Sequence, residues 1–312
     1  MIVSRFFAIA FLASALTVQA QQEGPIPTQS IVTMEAKTPQ QLTSAALTVK
    51  VNRRAATVSR VEAVKPNGTQ IALLIDDGLR TSVGRQLPDL RNFITSLPAG
   101  VEILVGYMQN GRVVAAQPFT TDHASAAANL RLPFGSPGLS ASPYFCVSDF
   151  VKHWPGGESA DAASPVVGPK ARFVMMLSNG VDPYNGSVSP LNQNSPYVDA
   201  AVSDAQRAGV PVYSIYYGDS GIRGGAASFS GQNYLTQLGE STGGRAYYVG
   251  LGNPVSLTPF LKQFVASIEE SYIVTFNAEG SRLVEVNFST KLPRTKLHAS
   301  KMVRPGTALA QE

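Results

Sequence analysis

The chain has 312 residues, of which 44% are hydrophobic and 15% are charged, and its formal net charge is +4. This composition supplies enough apolar material for a sizeable core and excludes wholesale disorder. The positive charge is small and no helical stretch concentrates it, which excludes a nucleic-acid-binding protein. The only cysteine, Cys146, excludes an intramolecular disulfide and is expected to be a buried thiol on a helix.

The N-terminal residues 1–20 have the pattern of a secretory signal. Arg5 provides the positive start, residues 6–18 are apolar, and Val18-Gln19-Ala20 is a small-residue cleavage site. We therefore predict an exported protein, periplasmic or extracellular, with no membrane span after cleavage; an uncleaved anchor is the alternative. Residues 21–40 are rich in Gln, Pro and Thr without periodicity, which predicts a flexible leader.

Residues 41–65 and 271–305 are predicted to form a small antiparallel β extension. Residues 306–312 are predicted to be a tail. Alternation of apolar and polar residues places the strands of the extension at 46–51, 57–61, 271–276, 283–288 and 296–302. A turn around Gly280 predicts that the third and fourth of these strands form a hairpin.

The central residues 66–270 alternate strands with helices. Apolar runs predict strands at 71–75, 101–108, 173–177, 210–217 and 246–249. Apolar residues at helical spacing predict helices near 86–97, 122–131, 144–154, 197–208, 231–241 and 257–270. Repeated βαβ units of this length predict an α/β fold: a doubly wound, mostly parallel sheet with helices on both faces.

Polar residues follow two of these strands at the point where each one ends. The run at 71–75 leads into Asp76-Asp77-Gly78-Leu79-Arg80, and the run at 173–177 leads into Ser178-Asn179-Gly180. Because parallel strands end at the same edge of a sheet, we expect these residues to lie together where open α/β folds bind ligands.

Two further stretches resemble a known family. These are Ala205-Gln-Arg-Ala-Gly-Val-Pro-Val-Tyr-Ser-Ile215 and Leu235-Thr-Gln-Leu-Gly-Glu-Ser-Thr-Gly-Gly-Arg-Ala-Tyr-Tyr248. They are similar to bacterial von Willebrand factor type A proteins, particularly the secreted VWFA-related group, and the resemblance covers roughly residues 68–305. It implies a von Willebrand factor A-like domain that binds a protein or matrix ligand and is not an enzyme.

The resemblance also implies where a metal-ion-dependent adhesion site would lie. In the family, an aspartate and two serines of one loop, a threonine of a second and an aspartate of a third surround Mg²⁺, and a carboxylate of the partner completes the shell. Asp76 matches the first aspartate, but the serines map to Gly78 and Arg80, the threonine to Ser140 and the last aspartate to Asn179. The site is therefore expected to be degenerate and to hold no tightly bound metal.

Three interpretations of this degenerate site stay open. Arg80 takes the place of the ion and pairs with Asp76 or with an acidic group of a partner. Alternatively, Arg80 is a solvated loop residue and the site is inactive. In the third, Mg²⁺ binds a rearranged site in which Asp77 or Asp182 supplies substitute oxygens; the set named for it is Asp76, Ser140 and Asp182.

The function predicted from these residues is non-catalytic binding of a protein or matrix ligand through the loops at the carboxyl edge. The predicted partner-binding residues are Asp76, Asp77, Arg80, Ser140, Asn179, Asp182 and Tyr184. One alternative is a scaffolding protein that binds through its β extension. A second is a hydrolase, since Gly218-Asp-Ser-Gly221 resembles a serine-protease segment; its place after a parallel strand predicts an ordinary loop turn instead.

Overall fold

The computed structural model describes residues 24–136, 138–156, 170–185, 194–218, 224–250 and 252–309. The predicted signal segment lies outside these residues, as do residues 219–221 of the segment that resembles a serine protease. None of the helices described there is both long and apolar enough to cross a membrane.

The strands and helices fall into an α/β domain and a β-sandwich. The strands are β1 (Ile26–Ala36), β2 (Leu47–Val51), β3 (Arg54–Ala56), β4 (Val58–Ala63), β5 (Thr69–Asp76), β6 (Glu102–Gln109), β7 (Arg112–Thr120), β8 (Ala171–Ser178), β9 (Val212–Tyr216), β10 (Ala246–Tyr247), β11 (Ser271–Ala278), β12 (Val284–Thr290), β13 (Thr295–Ala299) and β14 (Met302–Val303). The helices are α1 (Leu87–Thr95), α2 (His123–Ala128), α3 (Pro143–Lys152), α4 (Pro196–Ala208), α5 (Gly224–Thr242) and α6 (Thr258–Glu269).

The α/β domain has one six-stranded sheet in the order β10-β9-β8-β5-β6-β7. Every strand pair is parallel except β6 with β7, where β7 returns antiparallel at the edge. Side chains along β5 alternate between two cores: Ile71 and Leu73 face α1, α2 and α6, whereas Ala72 and Leu74 face α3, α4 and α5. The predicted doubly wound α/β class is therefore confirmed.

The β-sandwich has two four-stranded sheets, β13-β1-β11-β4 and β14-β12-β2-β3. Val32 and Val274 of the first sheet pack on Val49 and Val286 of the second to form its core. Its segments flank the α/β domain in the sequence, and β4 pairs with β11 at the point where the chain leaves and re-enters the sandwich. The α/β domain is thus inserted into the sandwich.

Three outer segments differ from the sequence prediction. Residues 26–36, predicted as part of a flexible leader, form β1, an inner strand between β11 and β13. The predicted hairpin is wrong, because β11 and β12 belong to different sheets. In the predicted tail, Leu309 is buried, and its N–H donates to Gln29 Oε1 at 2.6 Å.

Candidate functional site

The predicted acidic residues lie at the carboxyl edge of the parallel sheet, but their side chains are buried. Asp76 is 2% exposed, and Asp77 and Asp182 are 0% exposed. Ser140 is 5% exposed. These four residues are therefore inaccessible to a partner in this conformation and act by holding the surrounding loops.

The Asp76 carboxylate is enclosed by hydrogen-bond donors. Ser178 Oγ donates to Asp76 Oδ2 at 2.8 Å, and the Gly78 N–H donates to Oδ1 at 3.0 Å. Burial raises the pKa of Asp76. The Ser178 and Ser140 hydroxyls and the Gly78 N–H offset part of that rise, and the neighbouring Asp77 adds to it.

This raised pKa predicts a pH-dependent effect of Asp76→Asn. Because the native state holds the Asp76 proton more tightly than the unfolded chain, the native protein loses stability as pH rises from the ordinary pKa of 3.8 through the raised value. Asparagine keeps the shape and does not titrate. The stability of Asp76→Asn relative to the native protein is therefore expected to increase as the pH rises. The free energy of unfolding changes by about 1.4 kcal/mol for each pH unit by which the pKa of Asp76 is raised.

Urea unfolding of both proteins at a series of pH values measures this difference. Groups whose pKa is lowered, such as Glu35 and Asp89, contribute equally to both curves and cancel. A difference that stays constant with pH would contradict the raised pKa of Asp76.

The cation that pairs with Asp77 is Arg131, a residue that the sequence analysis missed. Its Nη1 lies 2.7 Å from Asp77 Oδ1 and its Nη2 lies 2.8 Å from Oδ2. The Phe134 N–H donates to Oδ1 at 2.9 Å, and the Gln109 amide donates to Oδ2. The hydrogen bonds to Asp77 raise the pKa of Arg131, as expected for a bidentate pair.

Arg131 also holds the aromatic side chains around it. Its guanidinium lies 3.7 Å from the centre of the Tyr107 ring and 4.3 Å from that of the Phe134 ring. The Tyr107 hydroxyl donates to the Arg131 carbonyl at 2.6 Å. The loop that follows α2 is in this way fixed to the end of β5.

The loop that follows β8 is fixed by Asp182. Ser195 Oγ donates to Asp182 Oδ2 at 2.7 Å, and the same Ser195 oxygen accepts from Tyr197 N at 3.2 Å, which caps α4. Asn179 Oδ1 accepts from Val181 N at 2.9 Å. Asp182 therefore joins the start of this loop to the start of the helix.

The side chains at this edge do not reproduce the ligand set of the family's metal site. Gly78 supplies no hydroxyl, and a Cβ on it would lie 3.2 Å from Asp76 Oδ1. The side-chain oxygens of Asn179 and Asp182 accept hydrogen bonds within their own loop. Among the described residues, no cluster of three His, Cys, Asp or Glu side chains could hold an ion.

Two of the predicted partner-binding residues are exposed, and a third, Asn179, is half-buried. Arg80 is exposed, and Tyr184 is 59% exposed. The Tyr184 ring lies 5.3 Å from that of Phe145, which lies 4.8 Å from that of Tyr197. These three rings, the aromatic cluster, connect the β8 loop to α3 and α4.

Exposed apolar side chains concentrate at the same edge. Among the described residues, eight large apolar or aromatic side chains are exposed, and six of them lie in loops next to the carboxyl ends of parallel strands. The six are Leu132, Phe134, Tyr184, Tyr248, Val249 and Val255. Gln86, just after the β5 loop, donates to the Val255 carbonyl at 3.2 Å, which brings the loop after β10 to this edge.

Cys146 is buried on α3, as predicted. Burial raises the pKa of its thiol, and its Sγ lies 3.4 Å from the Ser140 carbonyl. A buried thiol with a raised pKa is a poor nucleophile.

No family model and no curated protein matches this chain. Solved structures that do match include an aerotolerance-related membrane protein from Bacteroides fragilis, at 12% identity and a TM-score of 0.42, covering 65% of this chain and 100% of that one. A von Willebrand factor type A protein from Catenulispora acidiphila matches at 10% identity and a TM-score of 0.42, covering 94% and 77%. The manganese-loaded TRAP protein of Plasmodium vivax matches at 12% identity and a TM-score of 0.40, covering 78% and 96%.

Similarities at this level carry no information about function. The fold is assigned from the architecture of the chain. A parallel sheet with one antiparallel edge strand carries three helices on each face. By that architecture the chain has a von Willebrand factor type A-like fold, as the sequence predicts.

Proposed function

We propose that this protein is an exported, non-catalytic interaction module that binds a protein or matrix ligand through the loops at the carboxyl edge of its sheet. The observation that carries the proposal is the concentration of exposed apolar side chains at this one edge. A concentration of exposed apolar side chains on one part of a surface is typical of interaction sites, whereas single scattered ones are not.

The buried polar residues beneath this surface support the proposal. The pairs Asp77–Arg131 and Asp182–Ser195 fix two of the loops that carry exposed rings. A surface held in one shape loses little conformational entropy on binding, which favours affinity. In this interpretation Asp76, Asp77, Ser140 and Asp182 are positioning residues, and the contact with an acidic group of a partner falls to Arg80.

We also propose that binding does not depend on a tightly held divalent ion, because the family's ligand set is incomplete at this edge. Calorimetric titration with Mg²⁺, Mn²⁺ and Ca²⁺, together with thermal melts, tests this directly. No heat and no shift in Tm are expected. Micromolar binding of any of these ions would instead support a rearranged site that includes Asp76, Ser140 and Asp182.

Photo-crosslinking tests which surface binds. p-Benzoylphenylalanine is placed at Phe134 or Tyr184 on the edge, at Val114 on β7, and at Lys296 on β13 of the sandwich, in cells that produce the protein. Adducts are expected from the two edge positions only. Adducts confined to Lys296 would favour the alternative, a scaffolding protein that binds through an edge strand of its sandwich.

Tyr184 provides a quantitative prediction. Aromatic residues at the centre of an interface often contribute about 2 kcal/mol, so Tyr184→Ala is expected to weaken partner binding about thirtyfold. Tyr184→Phe keeps the ring and its contact with Phe145, and is expected to bind nearly as well as the native protein. The partner identified by crosslinking is titrated calorimetrically against each variant; equal affinity for all three would remove Tyr184 from the interface.

A further inference from the structure

A cleft of about 280 Å³ lies between the β-sandwich and the α/β domain. The α/β domain lines it with Tyr213 on β9, residues 243–245 before β10, and one face of α6. The sandwich lines it with Thr33 and Glu35 on β1 and with His298 on β13. Because Tyr213 and residues 243–245 lie at the amino ends of their strands, the cleft is at the opposite end of the sheet from the interaction surface proposed above.

The charged side chains of the cleft neutralise one another. Arg245 Nη2 donates to Glu35 Oε2 at 2.6 Å, and His298 Nε2 lies 2.9 Å from the same oxygen. These contacts with Arg245 and His298 lower the pKa of Glu35, so its carboxylate is charged and is balanced by the guanidinium. The other carboxylate of the lining, on Glu270, is exposed to water, which weakens its field. The cleft is therefore not suited to a ligand with a strong charge.

The deeper part of the lining consists of hydroxyl groups. Tyr213 is 2% exposed and Thr33 is 4% exposed. Tyr213 Oη lies 3.4 Å from Thr33 Oγ1, which lies 2.8 Å from Ser271 Oγ. On α6, the Ser267 hydroxyl donates to the Gln263 carbonyl at 2.9 Å. Each of these hydroxyls can donate one hydrogen bond and accept others.

One further hydroxyl beside the cleft has no partner. The Tyr247 ring stacks on that of Tyr213 with ring centres 6.5 Å apart, and its Oη is buried with no hydrogen-bond partner among the described residues. Burial raises the pKa of Tyr247 to about 12. That pKa is affected further by four residues that all line the cleft: Tyr213, Ser267, Arg245 and Glu35. The hydroxyl therefore lies next to the cleft, where a ligand can supply the partner that the protein does not.

We propose that this cleft binds a neutral, polyhydroxylated ligand of the size of one sugar ring. Sugar hydroxyls both donate and accept, so they can bond to Tyr247 Oη, to Tyr213 Oη and to the exposed Gln263 amide. Within the described part of the chain only Nη2 of the Arg245 guanidinium is hydrogen-bonded, which leaves its other N–H groups for sugar oxygens. The volume of about 280 Å³ is just below that of sites for drug-sized ligands, about 300–1,000 Å³, and suits a single ring.

Saturation-transfer difference NMR on the purified protein tests this site. The probes are glucose, galactose, mannose and N-acetylglucosamine, together with the disaccharides maltose, lactose and chitobiose. Tyr247→Phe removes the unpartnered hydroxyl, and Gln263→Ala shortens an exposed side chain on α6. Tyr248→Phe changes the next residue, which is exposed and does not line the cleft, and is the matched control.

The native protein is expected to bind at least one probe with a Kd on the order of 1 mM or below. We expect Tyr247→Phe to weaken that binding about tenfold, Gln263→Ala about threefold, and Tyr248→Phe by less than about twofold. Without sugar, Tyr247→Phe is expected to keep or raise the Tm, because the hydroxyl that it removes has no partner in the free protein. Weaker binding by a protein that is no less stable distinguishes a ligand contact from a structural role.

The disaccharides distinguish two sources of the sugar. Binding of disaccharides as well as monosaccharides identifies the end of a glycan as the ligand, whereas binding of monosaccharides alone identifies a free sugar.

Two results would overturn the site. One is the absence of a saturation signal from every probe with the native protein. The other is equal affinity of the native protein and Tyr247→Phe, because the sugar then binds elsewhere. If Tyr247→Phe lowers the Tm, Gln263→Ala decides instead, and unchanged affinity of that variant overturns the site. None of these measurements involves the loops at the carboxyl edge, so the cleft and the proposed function are tested separately.

Discussion

Arg131→Met is expected to lower the free energy of unfolding by about 3 kcal/mol, as measured by urea denaturation. The substitution leaves the Asp77 carboxylate, which is 0% exposed, without the guanidinium that contacts both of its oxygens. The loss of stability lies at the lower end of the range for breaking a buried ion pair. The Arg131 side chain is 33% exposed, so water can enter part of the space that it leaves and solvate Asp77.

A double variant separates the buried charge from the lost packing. Asp77→Asn combined with Arg131→Met removes both charges, and the asparagine oxygen can still accept from the Phe134 N–H. We expect this double variant to be more stable than Arg131→Met alone, because no unpaired charge is buried. If the two are equally destabilised, the effect comes from the stacking of Arg131 on Tyr107 and Phe134 and not from the ion pair.

Gly180→Ala is expected to destabilise the protein by about 3 kcal/mol through two separate effects. Gly180 has φ +66°, a conformation that costs a residue with a Cβ about 1–2 kcal/mol. The added Cβ would also lie 2.4 Å from the Gly231 carbonyl oxygen on α5, a backbone atom that cannot move without the helix. Overpacking of this kind typically costs about 1–3 kcal/mol.

Gly138→Ala is the matched control. Gly138 has φ +83°, but no atom lies within 4 Å of the position that its Cβ would occupy. Gly138→Ala therefore shows the cost of the left-handed conformation alone. Both substitutions restrict the unfolded chain to a similar degree, so this contribution to the free energy of unfolding is the same for the two variants. Equal unfolding free energies for the two variants would contradict the predicted clash between the Gly180→Ala Cβ and the Gly231 carbonyl.

The parts of the fold that local signals determine were predictable. The helix predicted at 197–208 is observed as α4, and Gly209 ends it with φ +66°, the left-handed conformation that glycine favours. The alternation of strands and helices gave the parallel sheet, and the polar residues at the strand ends did meet at one edge. Each of these features depends on residues close together in the sequence.

β1 was missed because its environment conceals the pattern of a strand. Both faces of β1 are covered, one by the sandwich core around Val32 and the other by the α/β domain, where Ile31 packs. Polar residues such as Thr33 are tolerated there because they find partners far away in the sequence, in this case Ser271 Oγ at 2.8 Å. A buried strand of mixed polarity has no period-two signal, so a Gln- and Thr-rich segment was predicted as a leader.

The sequence predicted that the site residues lie at one edge of the sheet, but it did not predict their contacts. Asp76 and Asp77 are adjacent at the end of β5, yet Asp76 accepts from a hydroxyl and an N–H whereas Asp77 is paired with Arg131. Arg131 is 54 residues from Asp77, in a loop after a short helix, and no local pattern connects the two. Burial of Asp182 likewise depends on Ser195, across a loop whose course the sequence does not determine.

The insertion of the α/β domain into the sandwich imposes an order on synthesis. β1 leaves the ribosome early, but its two neighbours in the sheet, β11 and β13, are translated only after the entire α/β domain. The parallel sheet can close on its own strands, whereas β1 has no ladder partner until the final segment emerges. A chain stalled before residue 271 would therefore carry a finished α/β domain beside an unpaired strand, which is a template for aggregation.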